Sequence, residues 1–374
     1  MLDEILEKRL GTSPSSHRHL KNIQNYHPRY LNIKVKDQQK KVLNFASNDY
    51  LALSCSNNTL QNIESQPSSR LLGGNLSKTE SIEKTLANWL GKESSLLFPS
   101  GYMANNGILA SLPQKGDLII MDKLCHASLI DGARLSKADL KRYRHLDLDH
   151  LETILSENTG KICWVVTESI FSMDGDYPDI KKLISLKKKY AFQLIVDEAH
   201  GIGIYDTLGR GLFAEKSAID EVDIFIFNLS KAFALQGGVI AGSKLLKKYL
   251  VNTCRSFIYT TATPYSHISS VPARCLEIKR AHHQREHLHN LIKLCQEELN
   301  LQKTYTAPIL NYPSGAGDQA LRLAEHLFQE NIYCPAILPP TVPNGQARLR
   351  ISLNSAHQPE DIQSLAKAIK NYET

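Results

Sequence analysis

A lysine and an aspartate follow two separate apolar stretches of the sequence and are of types that could share a cofactor. Lys231 comes soon after the apolar run Phe225–Leu229, and Asp197 ends an earlier run that begins at Phe192. A lysine amine held in a partly desolvated cleft among cations has a lowered pKa and can form a Schiff base with an aldehyde. A nearby carboxylate can keep a pyridine nitrogen protonated, so that the ring accepts electrons. Together the two residues favour a pyridoxal-phosphate site. A lysine alone at the end of a strand is usually just exposed to solvent.

The segment Ile195-Val-Asp-Glu-Ala-His200 permits two other interpretations. An ATPase with an acidic pair on Mg²⁺ needs a glycine-rich phosphate loop that ends in Gly-Lys-Ser/Thr. The pairs Gly91-Lys92 and Gly160-Lys161 are followed by Glu and Ile instead. A dinucleotide site would use the glycines after His200, but its third glycine position is Asp206. Both interpretations, and with them a nucleic-acid motor, are disfavoured.

Three further segments could contribute to a ligand site. Phe98-Pro-Ser-Gly-Tyr102 leads from a predicted strand into a helix over Met103–Ser111, and backbone N–H groups at a helix start suit a phosphate. His126 follows another predicted strand and could stack on a ring, although a lone loop histidine is usually just exposed. Arg350 follows the rigid turn Pro339-Pro-Thr-Val-Pro343. Its guanidinium could pair with a carboxylate through two hydrogen bonds, or it could face solvent on an edge strand.

Short apolar runs between about residues 43 and 265 would position these groups. They cover Ser95–Phe98, Asp117–Met121, Ile162–Thr167, Phe192–Val196 and Asp223–Phe227. Segments of helical character, such as Ile180–Lys189, lie between several of them. This alternation predicts a mainly parallel sheet covered by helices on both faces. Because such sheets bind ligands at the carboxyl ends of their strands, we expect the loops that follow the strands to meet in one crevice.

Changes in composition divide the chain into three parts. Residues 1–45 predict a polar helix, a loop and a short strand, and residues 46–270 predict the large cofactor-binding domain. Residues 271–374 predict a smaller α/β lobe. Around and within that lobe we expect a long helical stretch over Ser266–Leu301, strands over Ala307–Leu310 and Ala347–Leu353, and helices over Asp318–Glu330 and Gln358–Tyr372.

The composition excludes several classes of protein. With 374 residues, 42% hydrophobic and 22% charged, the chain is typical of globular proteins. No apolar run approaches the roughly 18 residues that span a bilayer, and the mixed charges of the N-terminus argue against a signal peptide. Seven scattered cysteines without a Cys-x-x-Cys pair indicate free thiols in a reducing cytoplasm and argue against zinc and disulfides. The net charge of +6 is spread out and favours an anionic small substrate or an acidic carrier protein over nucleic acid.

Taken together, these residues resemble the α-oxoamine synthases, a branch of the fold-type-I pyridoxal-phosphate enzymes. The resemblance runs from about Leu43 to His357. Beyond the segments above, it rests on Asn44-Phe-Ala-Ser-Asn-Asp-Tyr-Leu51, Glu168-Ser-Ile-Phe-Ser-Met-Asp-Gly175 and Tyr259-Thr-Thr-Ala-Thr-Pro264. The Pro-Pro-Thr-Val-Pro turn is most similar to the branch that serves biotin biosynthesis.

The resemblance implies a role for each matched residue. Lys231 would bind the cofactor covalently and later remove the substrate's α-proton, Asp197 would pair with the ring nitrogen, and His126 would stack on the ring. Further cofactor contacts are expected from Gly101, Tyr102, Ser172, His200, Asn228, Ser230, Thr260 and Thr261. Substrate contacts are expected from Lys21, His126, Thr341 and Arg350, with Arg350 on the amino acid's carboxylate. Because Thr260 and Thr261 resemble a segment that reaches the neighbouring subunit's phosphate, a homodimer with shared sites is expected.

The implied reaction joins L-alanine to a pimeloyl thioester, with coenzyme A or a carrier protein as the donor. A sister enzyme that uses glycine and another acyl-CoA is the alternative, and a non-catalytic subunit on the same fold is a second one, disfavoured by Lys231. Four departures bear on this choice. Leu338 and Lys21 stand where arginine is common, Asn228 stands where threonine is common, and Leu76-Ser-Lys-Thr79 lacks a frequent histidine.

Overall fold

A seven-stranded sheet forms the centre of the molecule. The computed structural model describes residues 22–35, 38–53 and 68–373. The strands of the large sheet are β4 (Ser94–Phe98), β5 (Leu118–Asp122), β6 (Asp139–Tyr143), β7 (Cys163–Glu168), β8 (Gln193–Asp197), β9 (Ile224–Asn228) and β10 (Gly238–Gly242). Their order is β4-β10-β9-β8-β7-β5-β6. Only β10 runs against its two neighbours; the other pairs within the sheet are parallel.

Burial on both faces explains why these strands are almost wholly apolar. Leu194 and Val196 of β8 belong to one hydrophobic cluster, whereas Ile195 between them belongs to a second cluster on the other face. Successive strand residues point to opposite faces, so both faces of the sheet must be covered. The predicted fold class, a large mainly parallel sheet with a smaller α/β lobe and a short N-terminal segment, is confirmed.

Thirteen helices are found in the described ranges. They are α1 (Ser77–Leu90), α2 (Gly101–Ser111), α3 (Ala127–Leu135), α4 (Leu148–Ser156), α5 (Ile180–Tyr190), α6 (Leu212–Glu215), α7 (Lys244–Thr253), α8 (Arg255–Ile258), α9 (Tyr265–Ile268), α10 (Val271–Arg280), α11 (His282–Glu298), α12 (Gly317–Gln329) and α13 (Pro359–Glu373). None of them, within that part of the chain, is long and apolar enough to cross a membrane.

Two smaller sheets flank the large one. The first contains β1 (Asn22–Tyr26), β2 (Tyr30–Val35), β3 (Gln38–Asn44) and β12 (Ile332–Tyr333), in that order. The second has the order β11 (Ile309–Gly315), β14 (Ala347–Ser352) and β13 (Ala336–Ile337). Strand β14 therefore lies in the middle of its sheet, and the interpretation of Arg350 as an edge-strand residue is wrong.

Two expectations about elements are corrected by the structure. The N-terminal segment contributes three strands, β1 to β3, rather than one short strand. The expected long helix over Ser266–Leu301 is three helices, α9 to α11. Pro272, which has no backbone N–H, stands in the first turn of α10, where it is tolerated because that N–H would have no partner within the helix. The domain boundaries at residues 45/46 and 270/271 stay a prediction.

Candidate active site

Acidic and polar side chains end several neighbouring strands of the large sheet. Strand β8 ends at Asp197, β9 ends at Asn228 and β7 ends at Glu168. Because these strands are parallel neighbours, their carboxyl ends meet at one edge. Lys231 lies three residues beyond β9 and is partly buried. The structure therefore brings the predicted lysine and aspartate to adjacent strand ends.

The setting of Lys231 alters the basicity of its amine. Burial lowers the pKa of Lys231 below the ordinary lysine value. The charges of Asp197 and Glu168 act in the opposite direction, and Arg350 adds to the lowering. A lysine whose ammonium form is disfavoured supplies more free amine near neutral pH, which is the form that attacks an aldehyde.

Asp197 is a buried carboxylate held by two donors. The Asn105 side-chain amide donates to Oδ2 at 2.7 Å, and the backbone N–H of Ala199 donates to Oδ1 at 2.9 Å. Asn105 lies on the buried face of α2. Asn105 was not among the predicted site residues. Its position on an otherwise apolar helix face is the sequence feature that could have indicated a role.

His126 is connected to Asp197 through side chains of α2 and α3. The Asn105 amide also donates to Ser128 Oγ at 3.0 Å, and this hydroxyl lies 2.7 Å from His126 Nδ1. The backbone N–H of Ser128 donates to the same nitrogen at 3.3 Å, so Nδ1 is the acceptor and we assign the proton to Nε2. Burial, aided by the charge of Lys231, lowers the pKa of His126, which keeps the imidazole neutral near pH 7.

His200 lies behind the Asp197 strand end and is buried. Its Nδ1 lies 2.6 Å from the hydroxyl of Tyr50, which in turn lies 3.1 Å from Asn48 Oδ1. Burial lowers the pKa of His200 well below the usual range, and the charges of Lys231 and Arg350 lower it further. The imidazole is therefore neutral and oriented by its tyrosine neighbour.

Arg350 is a buried cation, 6% exposed. Its Nε donates to the carbonyl of Ser172 at 2.7 Å, and its Nη1 donates to Ser352 Oγ at 2.6 Å. Both terminal nitrogens lie 3.4 Å from Asn48 Oδ1. Among the described residues, no carboxylate pairs with this guanidinium. Since buried charges are ordinarily paired, the site suits a ligand that carries a carboxylate.

The start of α2 forms a narrow cradle beside β9 and β10. Ser100 caps the helix through a bond from the backbone N–H of Met103 at 3.2 Å. A Cβ on Gly101 would lie 2.8 Å from Asn228 Cβ, and one on Gly238 would lie 2.3 Å from the Ser100 carbonyl. The first N–H groups of a helix have no intrahelical partner and attract phosphate. Asn228 Oδ1 is buried here without a partner in the described ranges.

Most of the remaining predicted residues are exposed or lie in loops. Tyr102 is exposed and donates from its hydroxyl to Asp131 at 2.6 Å, and Ser230 is exposed next to Lys231. Thr260 and Thr261 lie in the loop after α8, where Thr261 bridges to Ser69. Thr341 is exposed in the loop between β13 and β14. Lys21 lies outside the described residues.

These groups fit pyridoxal phosphate. The site offers a buried amine for the aldehyde, a buried carboxylate for the ring nitrogen, a neutral imidazole beside them and a helix start for the phosphate. Arg350 adds a cation for the carboxylate of an amino acid. No group of three or more His, Cys, Asp or Glu side chains that could hold a metal ion occurs in residues 22–35, 38–53 and 68–373.

Comparison with known proteins identifies the family. The family model for class I and II aminotransferases matches residues 40–369. The chain belongs to this family. Within it, the chain is a pyridoxal-phosphate acyltransferase of the α-oxoamine synthase branch.

Individual relatives support this assignment. The chain is 39% identical to an 8-amino-7-oxononanoate synthase of Chlorobaculum parvum, covering 89% of this chain and 90% of that protein. It is 38% identical to an 8-amino-7-oxononanoate synthase of Alkalilimnicola ehrlichii over 88% of both proteins.

Two solved structures are similar as well. A crystal structure of 8-amino-7-oxononanoate synthase from Francisella tularensis superposes with a TM-score of 0.76 and 29% identity, covering 89% of this chain and 98% of that chain. A serine palmitoyltransferase of Sphingomonas wittichii superposes with a TM-score of 0.89 and 25% identity, covering 99% and 95%. The fold is thus shared with proteins that carry two different enzyme names.

Proposed function

We propose that the chain condenses L-alanine with a pimeloyl thioester to give 8-amino-7-oxononanoate, carbon dioxide and a free thiol. The observation that carries this proposal is the buried Arg350 guanidinium, which lacks a carboxylate partner in the described part of the chain, in a cleft shared with Lys231 and Asp197. The names of the relatives support the identity of the product. The reaction makes a carbon–carbon bond to the thioester carbonyl, releases the thiol, and breaks the bond to the alanine carboxylate.

Binding and orientation are assigned to Arg350 and His126. The planar guanidinium of Arg350 can bind the carboxylate of alanine through two parallel hydrogen bonds. The neutral ring of His126 would stack on the cofactor, held by Ser128 at 2.7 Å. His200 and Ser172 would contact the ring oxygen, and Gly101, Tyr102, Asn228 and Ser230 would surround the phosphate.

Proton transfer is assigned to Lys231. When bound, pyridoxal phosphate supplies an electron sink for the pair released at the α-carbon of the amino acid. The amine of Lys231 would remove the α-proton, because burial favours its neutral form. Asp197 would keep a proton on the ring nitrogen, and the two donors that hold its carboxylate fix its direction.

The acyl donor is proposed from the relatives and from the charge of the chain. A pimeloyl thioester of coenzyme A or of a carrier protein is anionic, which fits a net charge of +6. Leu338, where arginine is common in the family, is partly buried before the turn that carries Thr341. Leu338 offers no charge to a distal carboxylate, and this observation favours the alternative, a sister activity with glycine and a different acyl-CoA.

The test begins with visible absorbance of the purified protein reconstituted with pyridoxal phosphate. We expect a yellow band that shifts on adding L-alanine, and no such band in Lys231→Ala. Lys216→Ala, which changes an exposed lysine, should behave as the wild type. Colourless wild-type protein after reconstitution would contradict the enzyme assignment.

Product mass spectrometry then separates the substrates. Alanine with pimeloyl-CoA or pimeloyl carrier protein should yield the mass of 8-amino-7-oxononanoate. A faster reaction with glycine and a shorter acyl-CoA would instead support the sister activity.

A further inference from the structure

A short loop after β7 is hydrogen-bonded to side chains of the C-terminal lobe. We call residues Ser172–Asp176 the strap. The Ser172 carbonyl accepts from Arg350 at 2.7 Å, and the Met173 carbonyl accepts from the Asn311 amide at 2.9 Å. The strap is thus held by side chains of β11 and β14, which come from a distant part of the chain.

Asp174 of the strap pairs with Arg348, whereas Asp176 pairs with Lys303 and His145. Arg348 Nη1 lies 2.6 Å from Asp174 Oδ1, and the side chains are only 11% and 18% exposed. Arg348 and Arg350 are two residues apart on β14, so they point to the same face. The pair therefore lies next to Arg350, which is assigned to the substrate carboxylate, on the same face of the strand.

The residues just before the strap connect it by hydrogen bonds to the strand end that carries Asp197. The backbone N–H of Ser169 donates to the carbonyl of Asp197 at 2.9 Å, and that of Phe171 donates to the carbonyl of Asp176 at 2.9 Å. Gly175 adopts φ +63°, and a Cβ there would lie 2.0 Å from the Ile309 carbonyl. This close approach leaves little freedom between the strap and β11.

We propose that the Asp174–Arg348 pair is a positioning device that sets the distance and direction of Arg350 relative to Lys231 and Asp197. The proposal rests on the assignment of Arg350 to the amino-acid carboxylate. Arg350 reaches the large sheet through the Ser172 carbonyl, and Ser172 is anchored two residues from Asp174. Loss of the charge on Asp174 weakens this anchor without altering the side chains of Arg350, Lys231 or Asp197.

The reason to expect a measurable effect is geometric. A charge-assisted hydrogen bond in a partly buried site is stronger than a neutral one. Within the described part of the chain, its loss leaves Arg348 with only its neutral hydrogen bonds to Gln346. A misplacement of about 1 Å at a binding group is enough to lower catalysis by roughly a hundredfold. The amino acid should therefore bind more weakly, whereas the cofactor, which is assigned to Lys231, Asp197 and the start of α2 besides Ser172, should lose less affinity.

The experiment measures amino-acid binding by spectral titration of the reconstituted enzyme with L-alanine, without any acyl donor. For Asp174→Asn we expect the dissociation constant of alanine to rise about tenfold, with a clearly smaller loss of pyridoxal-phosphate affinity. The steady-state KM for alanine should rise more than kcat falls. Asp318→Asn is the matched control, because Asp318 pairs with Arg322 on the exposed face of α12 in the same lobe.

A double-mutant cycle with Arg348→Gln completes the test. The double variant should bind alanine no worse than Arg348→Gln alone, and Arg348→Lys should restore part of the affinity. Unchanged alanine binding in Asp174→Asn, or an equal loss of cofactor affinity, overturns the positioning role. Arg350→Lys separates the two proposals: if it leaves alanine binding unchanged, the assignment of Arg350 itself fails.

Discussion

At the scale of single residues, the site depends on a few polar side chains that hold the charged ones. Asn105 is the clearest example, because its one amide group donates both to Asp197 at 2.7 Å and to Ser128 at 3.0 Å. It thereby couples the carboxylate assigned to the ring nitrogen with the histidine assigned to the ring face. Its oxygen is buried without a partner in the described ranges, which indicates that its orientation is set by these two bonds.

We predict that Asn105→Ala weakens cofactor binding. The substitution leaves Asp197 Oδ2 without its side-chain donor, and the loss of a hydrogen bond to a charged group costs about 1.5–3 kcal/mol. Titration with pyridoxal phosphate should show an affinity at least about tenfold lower. The neighbouring Asn106→Ala serves as the control, since Asn106 lies on the same helix and is only partly buried. Equal affinities of the two variants would contradict the holding role of Asn105.

At the scale of elements, the parallel strands were predicted well from the sequence. The predicted strand over Phe192–Val196 is Gln193–Asp197, and the one over Asp223–Phe227 is Ile224–Asn228. Strands buried on both faces appear as continuous apolar runs, so they can be recognised from the sequence alone. Once two such strands are neighbours, the residues at their ends must be close, and this explains why the sequence could predict that Asp197 and Lys231 lie at adjacent strand ends.

Other elements depend on contacts that no local pattern reveals. Strand β10 runs against both neighbours, and its pairing with β4 spans more than a hundred residues of sequence. The strap illustrates the same limit, because Asp174 and Arg348 are 174 residues apart in sequence. Sequence reasoning singled out the segments that carry both residues, but only the folded chain places them together.

His145 joins three elements beneath the strap. Its Nδ1 lies 2.8 Å from Asp122 at the end of β5, and its Nε2 lies 3.2 Å from Asp176. Lys303 lies 2.8 Å from the other oxygen of Asp176, and the ring of Phe171 packs edge-on against the imidazole at 4.5 Å. The two carboxylates outweigh burial and raise the pKa of His145 to about 9.

We predict that His145 stabilises the fold at neutral pH and ceases to do so in alkali. The folded pKa of about 9 lies above the ordinary value of 6.5, so the stabilisation is complete below pH 6.5 and is lost as the pH rises through 9. Such a shift corresponds to at most about 3 kcal/mol. The melting temperature of His145→Gln should therefore fall below that of the wild type at pH 6, and the two should converge near pH 10. A difference that is constant across this range would contradict the charged state of His145.

At the scale of the whole molecule, two large apolar side chains are exposed near Thr260 and Thr261. Leu72 is 84% exposed and Tyr259 is 72% exposed. They lie near each other because Ser69 bridges to Thr261 and the guanidinium of Arg70 lies 5.3 Å from the centre of the Phe257 ring. Apolar groups that cluster on a surface mark interaction sites, so we propose that a second copy of the chain covers this region and that Thr260 and Thr261 reach the partner's phosphate.

Shared sites make a specific prediction about mixed dimers. Lys231→Ala and the double variant Thr260→Ala, Thr261→Ala should each be inactive or strongly impaired when purified alone. If the threonines serve the neighbouring subunit, a heterodimer of the two variants contains one site in which every residue is native. With free exchange of subunits in a symmetric dimer, an equimolar mixture should recover about a quarter of the wild-type activity. If the threonines serve their own subunit, each site of the heterodimer carries a defect and mixing restores nothing. Differently tagged subunits, isolated together on one resin, confirm that exchange has occurred and make an absent recovery decisive against the shared site.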